Sequence, residues 1–134
     1  VDRTEVVLWH LEQLVNRGDV PDLPVVVDSP MASRALDLYR REVERRSPEL
    51  RAELYGRELF SSLWVTETRT TEESIALNGR RGPLVIVSAS GMATGGRVVH
   101  HLKHLLPHPR NSVVLVGFQA VGTRGRGLRD AAHR

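Results

Sequence analysis

Three short runs constrain this chain most: Leu23-Pro24-Val25-Val26-Val27-Asp28, Leu84-Val85-Ile86-Val87-Ser88 and Ser112-Val113-Val114-Leu115-Val116. Each is apolar throughout instead of alternating, which is the signature of a strand buried on both faces. A fourth, weaker strand is expected at Leu63-Trp64-Val65-Thr66. Helical segments separate these runs, and strands that alternate with helices build a parallel sheet covered on both sides.

The helical expectations follow from spacing and caps. Val6, Val7, Leu8, Leu11, Leu14 and Val15 recur on one helical face, with Asp2 or Thr4 available as a cap and Gly18 just past the end, giving a helix over 3–17. Ser29-Pro30 opens a second helix, carried by Ala35, Leu36, Leu38, Tyr39 and Val43 to about Arg46. Ser47-Pro48-Glu49 predicts a third over 49–60. Thr71 with Glu72 and Glu73 caps a short one reaching Asn78-Gly79. Two more are expected over 95–106 and 124–132. With 134 residues the chain is one domain, and the predicted class is α/β: a three-layer sandwich, mostly parallel, of the Rossmann or flavodoxin-like kind. Such a fold usually opens on a strand, so one more strand is expected ahead of residue 1.

Charge divides the chain. Through Glu73 there are fifteen acids and ten bases, about −5; from Ser74 onward there are nine bases against Asp130 alone, about +8. All bases but Lys103 are arginine, whose guanidinium fork matches phosphate oxygens. The C-terminal half is therefore expected to meet an anion. Cysteine is absent, which excludes disulfides, thiolate metal sites and a cysteine nucleophile. No apolar run is long enough to cross a membrane. Aromatic residues make up 4% of the chain, too few for base stacking to be its main mode of recognition.

The most informative segment is Ser88-Ala89-Ser90-Gly91-Met92-Ala93-Thr94-Gly95-Gly96-Arg97. It joins a buried strand to a helix, so its amides point out from the C-terminal edge of the sheet, where open α/β sheets bind ligands. Glycines allow an anion close to those amides, and Ser90, Thr94 and Arg97 add donors. The spacing is neither that of a P-loop nor that of a dinucleotide loop. Two further loops leave the same edge. In Asp28-Ser29-Pro30, Asp28 is a general base or metal ligand, or with Ser29 a helix cap. Gly117-Phe118-Gln119-Ala120-Val121-Gly122-Thr123-Arg124-Gly125-Arg126 is the other. The expected phosphate-binding set is Ser29, Ser90, Gly91, Thr94, Gly95, Gly96, Arg97, His100, Gln119, Thr123 and Arg126. His100, His104 and His108 repeat a four-residue interval known from zinc sites, but the Glu of a His-Glu-x-x-His motif is missing. They are read as solvated or ligand-facing, with no metal site and no catalytic residue assigned.

These motifs together resemble the β-CASP domain of RNA-processing nucleases with the metallo-β-lactamase fold. Asp2-Arg3-Thr4-Glu5-Val6, the Val-Val-Asp-Ser-Pro-Met-Ala stretch at 26–32, Ser90-Gly-Met-Ala-Thr-Gly-Gly-Arg97 with His100-His101-Leu102-Lys103-His104, and Gly117-Phe-Gln-Ala-Val-Gly-Thr123 occur in the family's order. Asp2 stands where the family usually has Gly. The resemblance implies a parent enzyme in which two zinc ions activate the water that attacks RNA, while the inserted β-CASP domain closes over the cleft and holds the strand. The family's His-x-His-x-Asp-His run is not in this sequence, and His133 is not one of the family's later ligands. The expectation is thus a clamp for single-stranded RNA, inactive alone, working in the cytoplasm beside a metallo-β-lactamase domain and in a homo-oligomer. The alternatives are a stand-alone flavodoxin-like nucleotide or phosphate binder, and an oligomerisation domain.

Overall fold

The computed structural model describes residues 3–132. The Asp2 cap and His133 lie outside them. Three parallel strands form one sheet in the order β2-β1-β3: β1 is Val25–Val27, β2 is Val65–Glu67 and β3 is Val85–Val87. Val25 stands opposite Val65 on one side and Val85 on the other. β1 is hydrogen-bonded along both edges and its three valines are buried. β3 is only half-buried, because β1 is its sole partner among the described strands.

Helices cover both faces. α1 (Thr4–Asn16) and α2 (Pro30–Glu44) bring Leu8, Ala32 and Leu36 onto Val25 and Val27, with Val65, Val85 and Val87 packed around them. Burial of each large aliphatic side chain stabilises the fold by roughly 1.5–3 kcal/mol. α2 starts because Ser29 Oγ accepts the Ala32 amide at 3.3 Å and Pro30 fits the first turn. Arg40 of α2 also reaches Glu67 of β2 at 3.0 Å, on that same face of the sheet. The chain runs outward from β1 to β2 and then back past β1 to β3. Right-handed crossovers therefore place α2 and α3 (Thr71–Leu77) on opposite faces. α4 (Arg97–Leu105) follows β3, and α5 (Arg124–Ala132) ends the described chain.

Three expectations are corrected. The segment 49–60 is not a helix: only a 3-10 turn at Ala52–Leu54 forms, because Gly56 (φ 72°) and Phe60 (φ 62°) take left-handed backbone that no helix accommodates. The short helix is capped by Thr70, not Thr71; Thr70 Oγ1 accepts the Glu73 amide at 3.1 Å and Glu73 Oε2 accepts the Thr70 amide, a complete capping box. The run 112–116 forms no strand. Among the described residues, 112–119 make no backbone–backbone hydrogen bond, and Val113, Val114 and Val116 are exposed. The side chains suit a strand, but no neighbouring edge is paired with them.

Candidate functional site

Asp28 lies one residue past the C-terminal end of β1, on the sheet face opposite Val25 and Val27, and is fully buried. Four donors converge on its carboxylate. Thr68, just past β2, donates to Oδ1; Ser74 of α3 donates to Oδ2 at 2.6 Å; Arg97 Nη1 meets Oδ1 at 2.8 Å; and His101 Nε2 meets Oδ2 at 2.5 Å. Burial by itself would push the Asp28 carboxyl up. The bonds from Ser74 and Thr68, then His101 and Arg97, outweigh it and hold the group below the ordinary carboxylate value. His101 Nδ1 in turn faces Asn78 Oδ1 at 2.9 Å. One carboxylate thus ties together β1, β2, α3 and α4 at the rim where the strands end.

Arg97 is the first residue of α4, and Gly96 (φ 75°) caps that helix in backbone geometry that glycine permits without strain. Arg97 Nη1 is shared between Asp28 and Thr68, the latter at 2.9 Å. Among the described residues, Nε and Nη2 have no protein partner and are not enclosed. Those two nitrogens form the side-on fork of a guanidinium, the edge that takes a phosphate or carboxylate bidentately.

The loop between β3 and α4 is joined to its neighbours on both sides. Ser88 Oγ donates to Asp28 O at 3.1 Å. On the other side Gln119 Nε2 donates to Gly91 O at 2.9 Å, the Gly125 amide donates to Met92 O at 2.9 Å, and Arg124 Nη1 donates to Ala93 O at 3.2 Å. Gln119 is buried, and a Cβ at Gly125 would stand 1.7 Å from its Oε1. Gly125 is therefore glycine because the Gln119 side chain fills the space beside it.

The residues predicted for phosphate binding divide into three groups. Ser90, Gly91, Thr94, Gly95, Gly96 and Arg97 form one patch: Ser90 Oγ and Thr94 Oγ1 lie 3.1 Å apart, and Thr94 and the three glycines are exposed. Gln119 braces that patch through Gly91 O, whereas Thr123 Oγ1 bonds within its own segment, donating to Ala120 O at 2.7 Å and accepting the Arg126 amide at 3.2 Å. Ser29, His100 and Arg126 stand apart from it in role. Ser29 is buried as the α2 cap. Arg126 Nε binds both oxygens of Asp130, at 2.9 and 2.8 Å, and with Arg129 holds that carboxyl below its ordinary value. Burial first, then the charges of His104, His101 and Lys103, depress the His100 imidazole. Sequence reasoning missed Thr68, Ser74, Asn78 and His101. Only His101 carried a signal, four residues after Arg97 and so on the same helical face.

His100 and His104 have ring centroids 4.4 Å apart, but His104 Nδ1 donates to the His100 carbonyl, and the described residues contain no group of three or more His, Asp or Glu able to hold a metal. The side chains here do not fit a zinc pair. A concavity of about 360 Å³ is lined by residues of α2 and 57–65 and includes none of the rim loops.

Residues just past β1, β2 and β3 meet at one rim of a parallel α/β sheet, the architecture of an open α/β domain. The chain belongs to the β-CASP family: a profile described as "Beta-Casp domain" matches residues 4–128. It is similar to ribonuclease TTHA0252 of Thermus thermophilus, with 43% identity over 93% of this chain and 29% of that protein. It is 34% identical to transcription termination factor FttA of Methanocaldococcus jannaschii over 97% of this chain and 20% of that protein. An RNase J-like protein of the same organism is 31% identical over 98% of this chain and 30% of its own length. The chain thus spans less than a third of the length of these relatives. Among the described residues, no helix is long and apolar enough to cross a membrane.

Proposed function

We propose that this β-CASP domain holds single-stranded RNA for a metallo-β-lactamase-fold ribonuclease, gripping the sugar–phosphate chain at the Ser90–Arg97 loop. The observation that carries the reading is the open Nε–Nη2 fork of Arg97 beside the exposed Gly91, Thr94, Gly95 and Gly96. The basic balance after Ser74 draws a polyanion to that half, and two of the similar proteins are a ribonuclease and an RNase J-like protein. The parent enzyme hydrolyses the phosphodiester with zinc held in its metallo-β-lactamase domain, and no step of that chemistry runs through the residues described here. The isolated chain grips without cutting. RNA as the ligand and a cysteine-free sequence suit a cytoplasmic enzyme, and self-association is read by sedimentation against concentration.

The test is RNA binding by the purified domain, followed by fluorescence anisotropy with a mixed-sequence single-stranded oligoribonucleotide across a salt series. Binding should weaken steeply as salt rises, and Arg97→Ala should weaken it to a similar degree for every sequence. It should also lower the slope of log K against log salt by about 0.7 for each phosphate that is no longer neutralised. An Arg97→Ala domain that binds like the parent at low salt, or a parent domain with no detectable binding there, would overturn the proposal.

A further inference from the structure

We infer that Asp28 is the positioning residue of this surface: it holds Arg97 by Nη1 alone, so that the Nε–Nη2 fork is presented to a phosphate in one fixed orientation. The inference rests on the RNA-holding reading of Arg97 and adds a residue that touches no RNA. Asp28 is fully buried, and its carboxylate meets Thr68, Ser74, Arg97 and His101. Ser74 and His101 fill Oδ2, while Thr68 and Arg97 share Oδ1. Thr68 Oγ1 also meets Arg97 Nη1, so the guanidinium is fixed by two oxygens on two different strand ends. Four elements thus determine the orientation of one side chain that is 20% exposed.

An arginine left free at a loop edge loses much rotamer entropy when it binds, and holding it beforehand removes that cost. A carboxylate beside an arginine does something else as well: it offsets the positive charge that attracts RNA. The two effects have opposite signs, and this makes the role measurable. If Asp28 merely neutralises Arg97, Asp28→Asn raises the local charge by one and tightens RNA binding. If Asp28 positions Arg97, the same substitution weakens binding despite the added charge, because an amide cannot accept all four donors.

The experiment compares the domain with its Asp28→Asn, Thr68→Val and Arg97→Ala variants, and with Asp28→Asn in the Arg97→Ala background. Anisotropy is read against the same oligoribonucleotide, at a temperature where circular dichroism shows each variant folded. Asp28→Asn should weaken binding by roughly 3- to 10-fold, as expected for loosening one charged bidentate contact. In the Arg97→Ala background it should bring no further loss, leaving only the effect of the added charge. Thr68→Val changes no charge and should weaken binding in the same direction by a smaller factor; it carries the test if Asp28→Asn does not fold. Unchanged or tighter binding by Asp28→Asn and Thr68→Val, alongside a clear loss with Arg97→Ala, overturns the positioning role and leaves the RNA reading standing. No loss with Arg97→Ala overturns the RNA reading of Arg97 itself.

Discussion

β1 and the segment 112–116 are nearly the same peptide in two situations. Both are valine-rich runs of the kind that suits a pleated sheet. Val25, Val26 and Val27 are buried and paired on both edges, whereas Val114 is 79% exposed and its segment has no backbone partner among the described residues. Strand propensity therefore makes a strand only where another backbone offers its edge and helices cover the faces. β3 stands between the two cases, paired with β1 and half-buried.

The largest effect should come from the β1 side. Leu36→Ala empties the space against Val25 and Val27 and should cost about 2–5 kcal/mol in urea unfolding. A loss under about 1 kcal/mol would mean that the core is not centred on β1. Next comes the seam between the two C-terminal loops. Gly125→Ala drives a methyl into Gln119 and should cost about 1–3 kcal/mol. Adding Gln119→Ala should recover part of that loss, so the two changes combine to less than their sum. Strict additivity would show that Gln119 is seated elsewhere.

A smaller effect, confined to acid, is expected at Asp28. Its folded carboxyl sits below the unfolded value, so the unfolded state binds more protons in the window between them. Stability contributed by Asp28 is complete above the ordinary carboxylate value, near pH ~4, and is lost as pH falls through the depressed one. Asp28→Asn should start less stable at neutral pH and lose less on acidification; parallel curves for the two proteins would contradict the network. The smallest effect tests the other side of the comparison. Val114→Ser should change unfolding by less than about 0.5 kcal/mol, as for any open surface position. A cost like that of a core residue would show that the segment is covered in solution.

Much of this fold was legible in the sequence because its signals are local. Apolar runs placed β1 and β3, the weaker candidate at 63–66 overlapped β2, and caps and spacing placed α1, α2, α4 and α5 within a few residues. The failures are non-local. Nothing in 49–60 announces that Gly56 and Phe60 adopt left-handed backbone, and nothing in 112–116 states whether a partner edge exists. At the site, the loop motif located the exposed glycines and Arg97. The carboxylate behind Arg97 was visible only as an isolated Asp28, because Thr68, Ser74 and His101 reach it from 40, 46 and 73 residues away.

The Gln119–Gly125 contact has a mechanical corollary. Gln119 is latched to the Gly91 carbonyl, and Gly125 to that of Met92, so neither loop can swing without dragging the other. The two segments therefore form a single stiff edge of the fold, and a displacement of one is a displacement of both.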